Sequence, residues 1–122
     1  MKKLLKPCTL LALLLPALVC AQNLVTDVKI GKSIVDRQIA DETTAFALGE
    51  KAYLWIRAEG GTGETLTVTW TSGGQSFPVT LNIGGSPWRT WANKTLHVPG
   101  EWTVTVTDAA GATLSETKLS VQ

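Results

Sequence analysis

Cysteine and histidine are nearly absent from this sequence. Its two cysteines, Cys8 and Cys20, fall within the first 20 residues, and His97 is its single histidine. A zinc site would need three carboxylates around that one imidazole, and no spacing supplies them. His97 therefore reads as a partly exposed histidine at a strand end. There is no Gly-x-Ser-x-Gly turn, and a hydrolase triad would have to recruit the same His97. Gly60-Gly61-Thr62-Gly63 lacks the Lys-Ser/Thr and helix of a phosphate loop, so it reads as a hairpin turn. The carboxylate pairs Asp41-Glu42 and Glu59/Glu64 read as solvated loop charge rather than as a glycosidase pair. No catalytic residue, cofactor or metal site is expected, and the chain reads as non-enzymatic.

Long apolar runs and basic clusters are missing as well. The longest apolar stretch, Leu10 to Val19, is too short for a bilayer, which needs roughly 20 residues. It follows the basic residues Lys2, Lys3 and Lys6 and precedes Val19-Cys20-Ala21. That three-part pattern predicts a secretory signal peptide over residues 1–21, cleaved after Ala21. A second reading makes Cys20 the acylated cysteine of a lipoprotein, but Val19 fits badly just before it. Cleavage after Ala21 would leave a domain of residues 22–122 with no cysteine, hence no disulfide and no thiol nucleophile. Of 11 basic residues eight would remain against ten acidic ones, a net charge of −2. Such a domain has no electrostatic footprint for nucleic acid. The expected location is periplasmic or secreted, with no transmembrane segment in the mature chain.

What remains is strand-like. Apolar residues alternate with polar ones in short runs separated by turn residues. Leu24 to Ile30 is the first run, ended by Gly31-Lys32. Ser33 to Gly49 accommodates two short strands, or one strand and a loop. Clean alternation follows over Lys51 to Glu59, Glu64 to Ser72 and Ser76 to Ile83, where Pro78 predicts an edge strand or a bulge. Trp88 to Lys94 does not alternate cleanly, and Leu96 to Val98 suggests a short strand. Glu101 to Thr107 puts Trp102, Val104 and Val106 inward. Asp108-Ala109-Ala110-Gly111 fits a type I turn. Leu114 is out of phase with Leu119 and Val121, which predicts a bulge in the last strand. About seven short strands with half-polar faces predict an all-β, antiparallel, immunoglobulin-like two-sheet sandwich forming one domain.

Five tryptophans are many for so small a domain. Parity assigns Trp70 and Trp102 to the core. The alternation sets Trp55 opposite Leu54 and Ile56, with Tyr53 and Arg57, while Trp88 and Trp91 flank Arg89. Two readings stand side by side. In one, Arg89 stacks on a tryptophan and the segment locks a crossover between sheets. In the other, Tyr53, Trp55, Arg57, Trp88, Arg89, Trp91 and Lys94 form an exposed aromatic–cationic surface that docks a partner.

The ordered features Ala52-Tyr53-Leu54-Trp55, Trp70, Trp88-Arg89-Thr90-Trp91-Ala92-Asn93-Lys94, Gly100-Glu101-Trp102-Thr103-Val104 and Asp108-Ala109-Ala110-Gly111 with Leu114 resemble a bacterial family, domain of unknown function 2914. The resemblance spans about Ile34 to Val121. Val68 stands where the family often carries His, and Ala92 where it more often carries Ser. The resemblance implies a β-sandwich module of the bacterial cell envelope and brings no established activity. The expectation is an exported module that mediates protein interaction, its partner an envelope protein or a glycan. The alternatives are a carbohydrate-binding module using the same aromatics and an inhibitor of a cell-wall or proteolytic hydrolase.

Overall fold

A computed structural model describes residues 25–122. The expected signal peptide, its expected cleavage site and Cys20 lie outside the described residues. Nine strands are present among the described residues: β1 (Val25–Val35), β2 (Gln38–Glu42), β3 (Ala45–Phe46), β4 (Lys51–Ala58), β5 (Thr65–Ser72), β6 (Gln75–Asn82), β7 (Trp88–Thr95), β8 (Gly100–Asp108) and β9 (Thr113–Val121). They form two sheets, ordered β2-β1-β4-β7 and β3-β9-β8-β5-β6. All pairings are antiparallel except β3 with β9, which is parallel. The all-β sandwich expected from alternation is the observed architecture. The two strands beyond the expected seven come mainly from the segment between Ser33 and Gly49.

The core lies between the sheets. Ala52, Leu54, Ile56 and Ala58 of β4 face Leu66, Val68 and Trp70 of β5 and Trp102, Val104 and Val106 of β8. Trp70 and Trp102 are both fully buried. The Trp102 indole N–H donates to the Val98 carbonyl at 2.8 Å, whereas the Trp70 N–H has no partner. The outer face of the second sheet has threonines at its centre, where Thr67 pairs with Thr107, Thr69 with Thr105 and Thr71 with Thr103, flanked by Glu116 and Lys118 of β9 and Pro78 of β6. β-Branched hydroxyl residues satisfy both strand geometry and water there.

Local chemistry explains the joints. Asp108 opens the predicted turn: its carbonyl accepts from Gly111 N–H at 3.0 Å, and its carboxylate accepts from the Ala110 and Ala112 N–H groups. The β8–β9 register shifts beside Val106/Thr107, leaving Leu114 as the unpaired extra residue and letting it pack on the core. Glu50 accepts from Ala47 N–H at 2.7 Å, with Lys32 at 3.4 Å. These donors, the backbone one foremost, hold its carboxyl below the usual range.

Three expectations need correction. The first strand does not stop at Gly31-Lys32 but runs on to Val35. Gly31 is buried, and a Cβ there would sit 2.7 Å from the Ala40 carbonyl oxygen, so glycine admits the returning β2 rather than ending β1. The turn falls at Asp36-Arg37, both at positive φ (52° and 62°), the two-residue geometry suited to the twist of a hairpin. Residues 96–98 form no strand, although Leu96 is fully buried. Asp41 and Glu42 belong to β2 rather than to a loop.

The outer edges differ in how they are closed. Ile83 exchanges hydrogen bonds with the β5 side, its N–H to Glu64 C=O and its C=O from Gly63 N–H. Antiparallel alternation then turns Pro78 toward the free edge of β6, where its missing N–H breaks no ladder bond. The edge position expected from Pro78 is the one observed.

Candidate functional site

The outer face of the first sheet is built by β1, β4 and β7. Because Leu54 and Ile56 point inward, Tyr53, Trp55 and Arg57 point outward. The register sets Arg89 beside Arg57, Trp91 beside Trp55 and Asn93 beside Tyr53, with Lys29 and Asp27 of β1 on the other flank. Five of the seven expected surface residues are thus brought onto one face: Tyr53, Trp55, Arg57, Arg89 and Trp91.

Their exposures differ. Trp55 is 6% exposed. Its indole N–H donates to the Arg37 carbonyl at 2.9 Å, and Lys29 Nζ lies 5.7 Å from the ring centre. The tip of the β1–β2 hairpin therefore lies over Trp55, which is a floor of the face and not a free contact. Arg57 is tied to Thr26 Oγ1 at 3.1 Å and to Glu59. Tyr53 and Trp91 are half-buried. Arg89 is exposed and makes no ion pair among the described residues.

Trp88 and Lys94 lie on the opposite, inner side of β7. Trp88 is half-buried against the core, its ring carbons 2.8 to 3.2 Å from where a Cβ of Gly84 would stand. That contact braces the connection from β6 in one sheet to β7 in the other. The crossover-locking role proposed for this segment belongs to Trp88, not to Arg89. Lys94 Nζ sits 3.8 Å from the centre of the Phe77 ring. Phe77 stacks on Trp102 at 6.1 Å, and His97 meets both rings edge-on at 5.9 Å. This cluster joins the β6 and β7 sides of the sandwich. His97 is exposed, with Nδ1 3.3 Å from Thr95 O.

The segment 88–94 is a regular strand, in register with β4 throughout. Its alternation is obscured because Thr90 and Lys94, polar residues, point inward at the rim of the sandwich, where the core no longer demands apolar side chains. Sequence reading missed Arg37, whose carbonyl covers Trp55; a positive-φ turn without glycine leaves little trace. It also missed Lys29 and Asn93, which strand parity would have placed on this face. Among the described residues no three His, Cys, Asp or Glu side chains gather to hold a metal. No helix among them is long and apolar enough to cross a membrane.

Residues 63–121 match the family model described as Protein of unknown function (DUF2914). Over these residues, just under half of the chain, the sequence is similar to that family, which supports the resemblance read from its motifs. The DUF2914 match runs from the turn before β5 to the end of β9, narrower than the resemblance suggested. It takes in Arg89, Trp91 and Asn93 of the outer face and leaves Tyr53, Trp55 and Arg57 outside. No curated protein matches the chain. Among solved structures, the Pseudomonas fluorescens alkylpurine DNA glycosylase AlkC bound to DNA containing an abasic site analog is similar at 18% identity and a TM-score of 0.44. The likeness covers 78% of this chain and 30% of that one. A likeness of that degree carries no functional argument.

Proposed function

We propose that this chain is an exported, non-enzymatic module of the bacterial cell envelope that binds a partner protein through the outer face of its first sheet. The N-terminal basic and apolar pattern supports export. The observation that carries the binding role is Arg89. It is exposed, without an ion pair among the described residues, next to the half-buried Trp91 and opposite Arg57, whose charge is already offset by Glu59. An exposed, uncompensated guanidinium contributes little to the stability of the fold. Arginine beside tryptophan is the composition of binding hot spots. The outer face of the second sheet carries threonines, Glu101, Glu116, Lys118 and Pro78, with no aromatic residue beside a free arginine.

Site-specific photocrosslinking in the envelope tests this reading. A photoreactive residue at Asn93 should give a discrete adduct with one protein, weakened by Arg89→Ala and by Trp91→Ala. The same probe at Thr105, on the threonine face, should give none. Equal adducts at both positions would overturn the assignment of the face. A second reading, glycan binding, draws on the half-buried rings of Tyr53 and Trp91. It requires a tryptophan fluorescence change on adding soluble polysaccharide or peptidoglycan fragments, lost in Trp91→Ala.

A further inference from the structure

The free edge of β7 and the outer face of the first sheet are one surface. Leu96 N–H donates to Glu50 C=O at 2.8 Å, and Leu96 C=O accepts from Gly49 N–H at 2.8 Å, so Leu96 is bonded toward the β4 side. Antiparallel strands alternate, so Ala92 and Lys94 are bonded toward β4 as well, in step with Leu96. The residues between them, Arg89, Trp91, Asn93 and Thr95, turn their N–H and C=O groups to the free edge. Their side chains are the ones that project onto the outer face. A strand added at this edge would therefore bond to Arg89, Trp91 and Asn93, and would carry its own alternate side chains on the same face, directly opposite Arg89 and Trp91.

The other edges are interrupted, shorter or mixed in charge, β9 beyond its two-residue pairing with β3 carrying Glu116 as well as Lys118. Pro78 interrupts the free edge of β6, β3 has only two residues, and β2 belongs to the hairpin whose tip lies over Trp55. The β7 edge has eight residues, no proline and an unbroken register with β4. Its charge selects among occupants. β7 carries Arg89 and Lys94 and no acidic residue. Self-pairing with a second copy would bring two uncompensated Arg89 side chains to one seam, and β7 has no acidic residue to offset them. An acidic strand would pair Arg89 instead, the Arg57 charge being already met by Glu59.

We infer that β7 accepts an extended acidic segment of a partner protein as an added strand, with a carboxylate side chain opposite Arg89. This inference rests on the outer-face reading and names the chemistry of the partner. Main-chain bonds supply affinity in such complexes, and alternate side chains supply specificity.

A capped peptide as long as β7, eight residues of alternating glutamate and valine, is the probe. Added to the 15N-labelled domain, it should shift the amide resonances of Arg89, Trp91 and Asn93, and the lysine–valine counterpart should not. Arg89→Glu should weaken the glutamate peptide by about tenfold or more, the effect of turning an opposite-charge cross-strand pair into a like-charge one. Asn93→Pro should abolish binding by removing one edge N–H, as Pro78 does naturally on β6. Should that variant fail to fold, the peptide carries the test: N-methylation at the glutamate amides should block binding, and at the valine amides it should not. Binding that survives edge-blocking by both routes would overturn strand addition. So would the absence of any shift at β7, or concentration-dependent shifts of the same amides without peptide, which would assign the edge to a second copy. A protein adduct at Asn93 combined with no peptide binding would defeat this inference and leave the outer-face reading standing. Loss of the adduct as well would defeat both.

Discussion

Two tryptophans with the same burial make different demands on the fold. Trp102 fills the core and also places its N–H on the Val98 carbonyl, which fastens the 96–99 connection to β8. Trp70 fills the core with its N–H unsatisfied. Truncating Trp102 to alanine should cost about 3–5 kcal/mol, the usual range for a large buried aromatic. The phenylalanine variants separate volume from hydrogen bonding. Trp102→Phe leaves the part-buried Val98 carbonyl without its donor, a penalty of about 1 kcal/mol, whereas Trp70→Phe removes an unsatisfied group. Urea unfolding should therefore rank Trp70→Phe as the milder change. The opposite order would mean that the Trp70 indole has a partner in solution.

At the scale of elements, the first sheet is organised around the hairpin of β1 and β2. Its tip is held on the outer face by the bond from Trp55 to the Arg37 carbonyl. Trp55→Ala removes that bond and the floor beneath the tip, and should destabilise the domain by about 3 kcal/mol or more. Amide exchange should rise first over Lys32–Asp41. Alternation alone would have made Trp55 a free contact whose loss the fold tolerates; the covering turn reverses that expectation. Arg89→Ala, on the exposed side of β7, should change stability by less than about 0.5 kcal/mol. A thermal melt of each variant is enough. Should Arg89→Ala unfold the domain and Trp55→Ala leave it unchanged, the placement of both side chains is wrong.

The whole domain is held by one apolar core without a covalent staple. Residues 22–122 contain no cysteine, and about 100 residues bury enough surface to fold unaided. Expressed from the full chain, the protein should have the same unfolding midpoint with and without reductant. A reductant-dependent midpoint would show that Cys8 or Cys20 persists in the folded product. The two outer faces also differ in chemistry: the second sheet's carries threonines with Glu101, Glu116 and Lys118, and the first sheet's carries Arg57 and Arg89 beside tryptophans.

Core parity, the edge at Pro78, the Asp108 turn, the irregularity at Leu114 and the positions of β4, β5, β6 and β8 were legible in the sequence, whereas the end of β1, β2 and the regularity of β7 were not. Each of the legible features is decided within a few residues: a period of two, a missing N–H, or a side chain that bonds its own turn. The candidate site was legible only in part. Parity put Tyr53, Trp55 and Arg57 on one face, but long-range pairing decided that Arg89 and Trp91 join them and that Trp88 and Lys94 do not. The burial of Trp55 depends on a turn 18 residues away. The free edge of β7 depends on strand order, which no local pattern encodes because either neighbour of a strand satisfies the same alternation. Periodicity determines which way a side chain faces; only the assembled sheets determine what it faces.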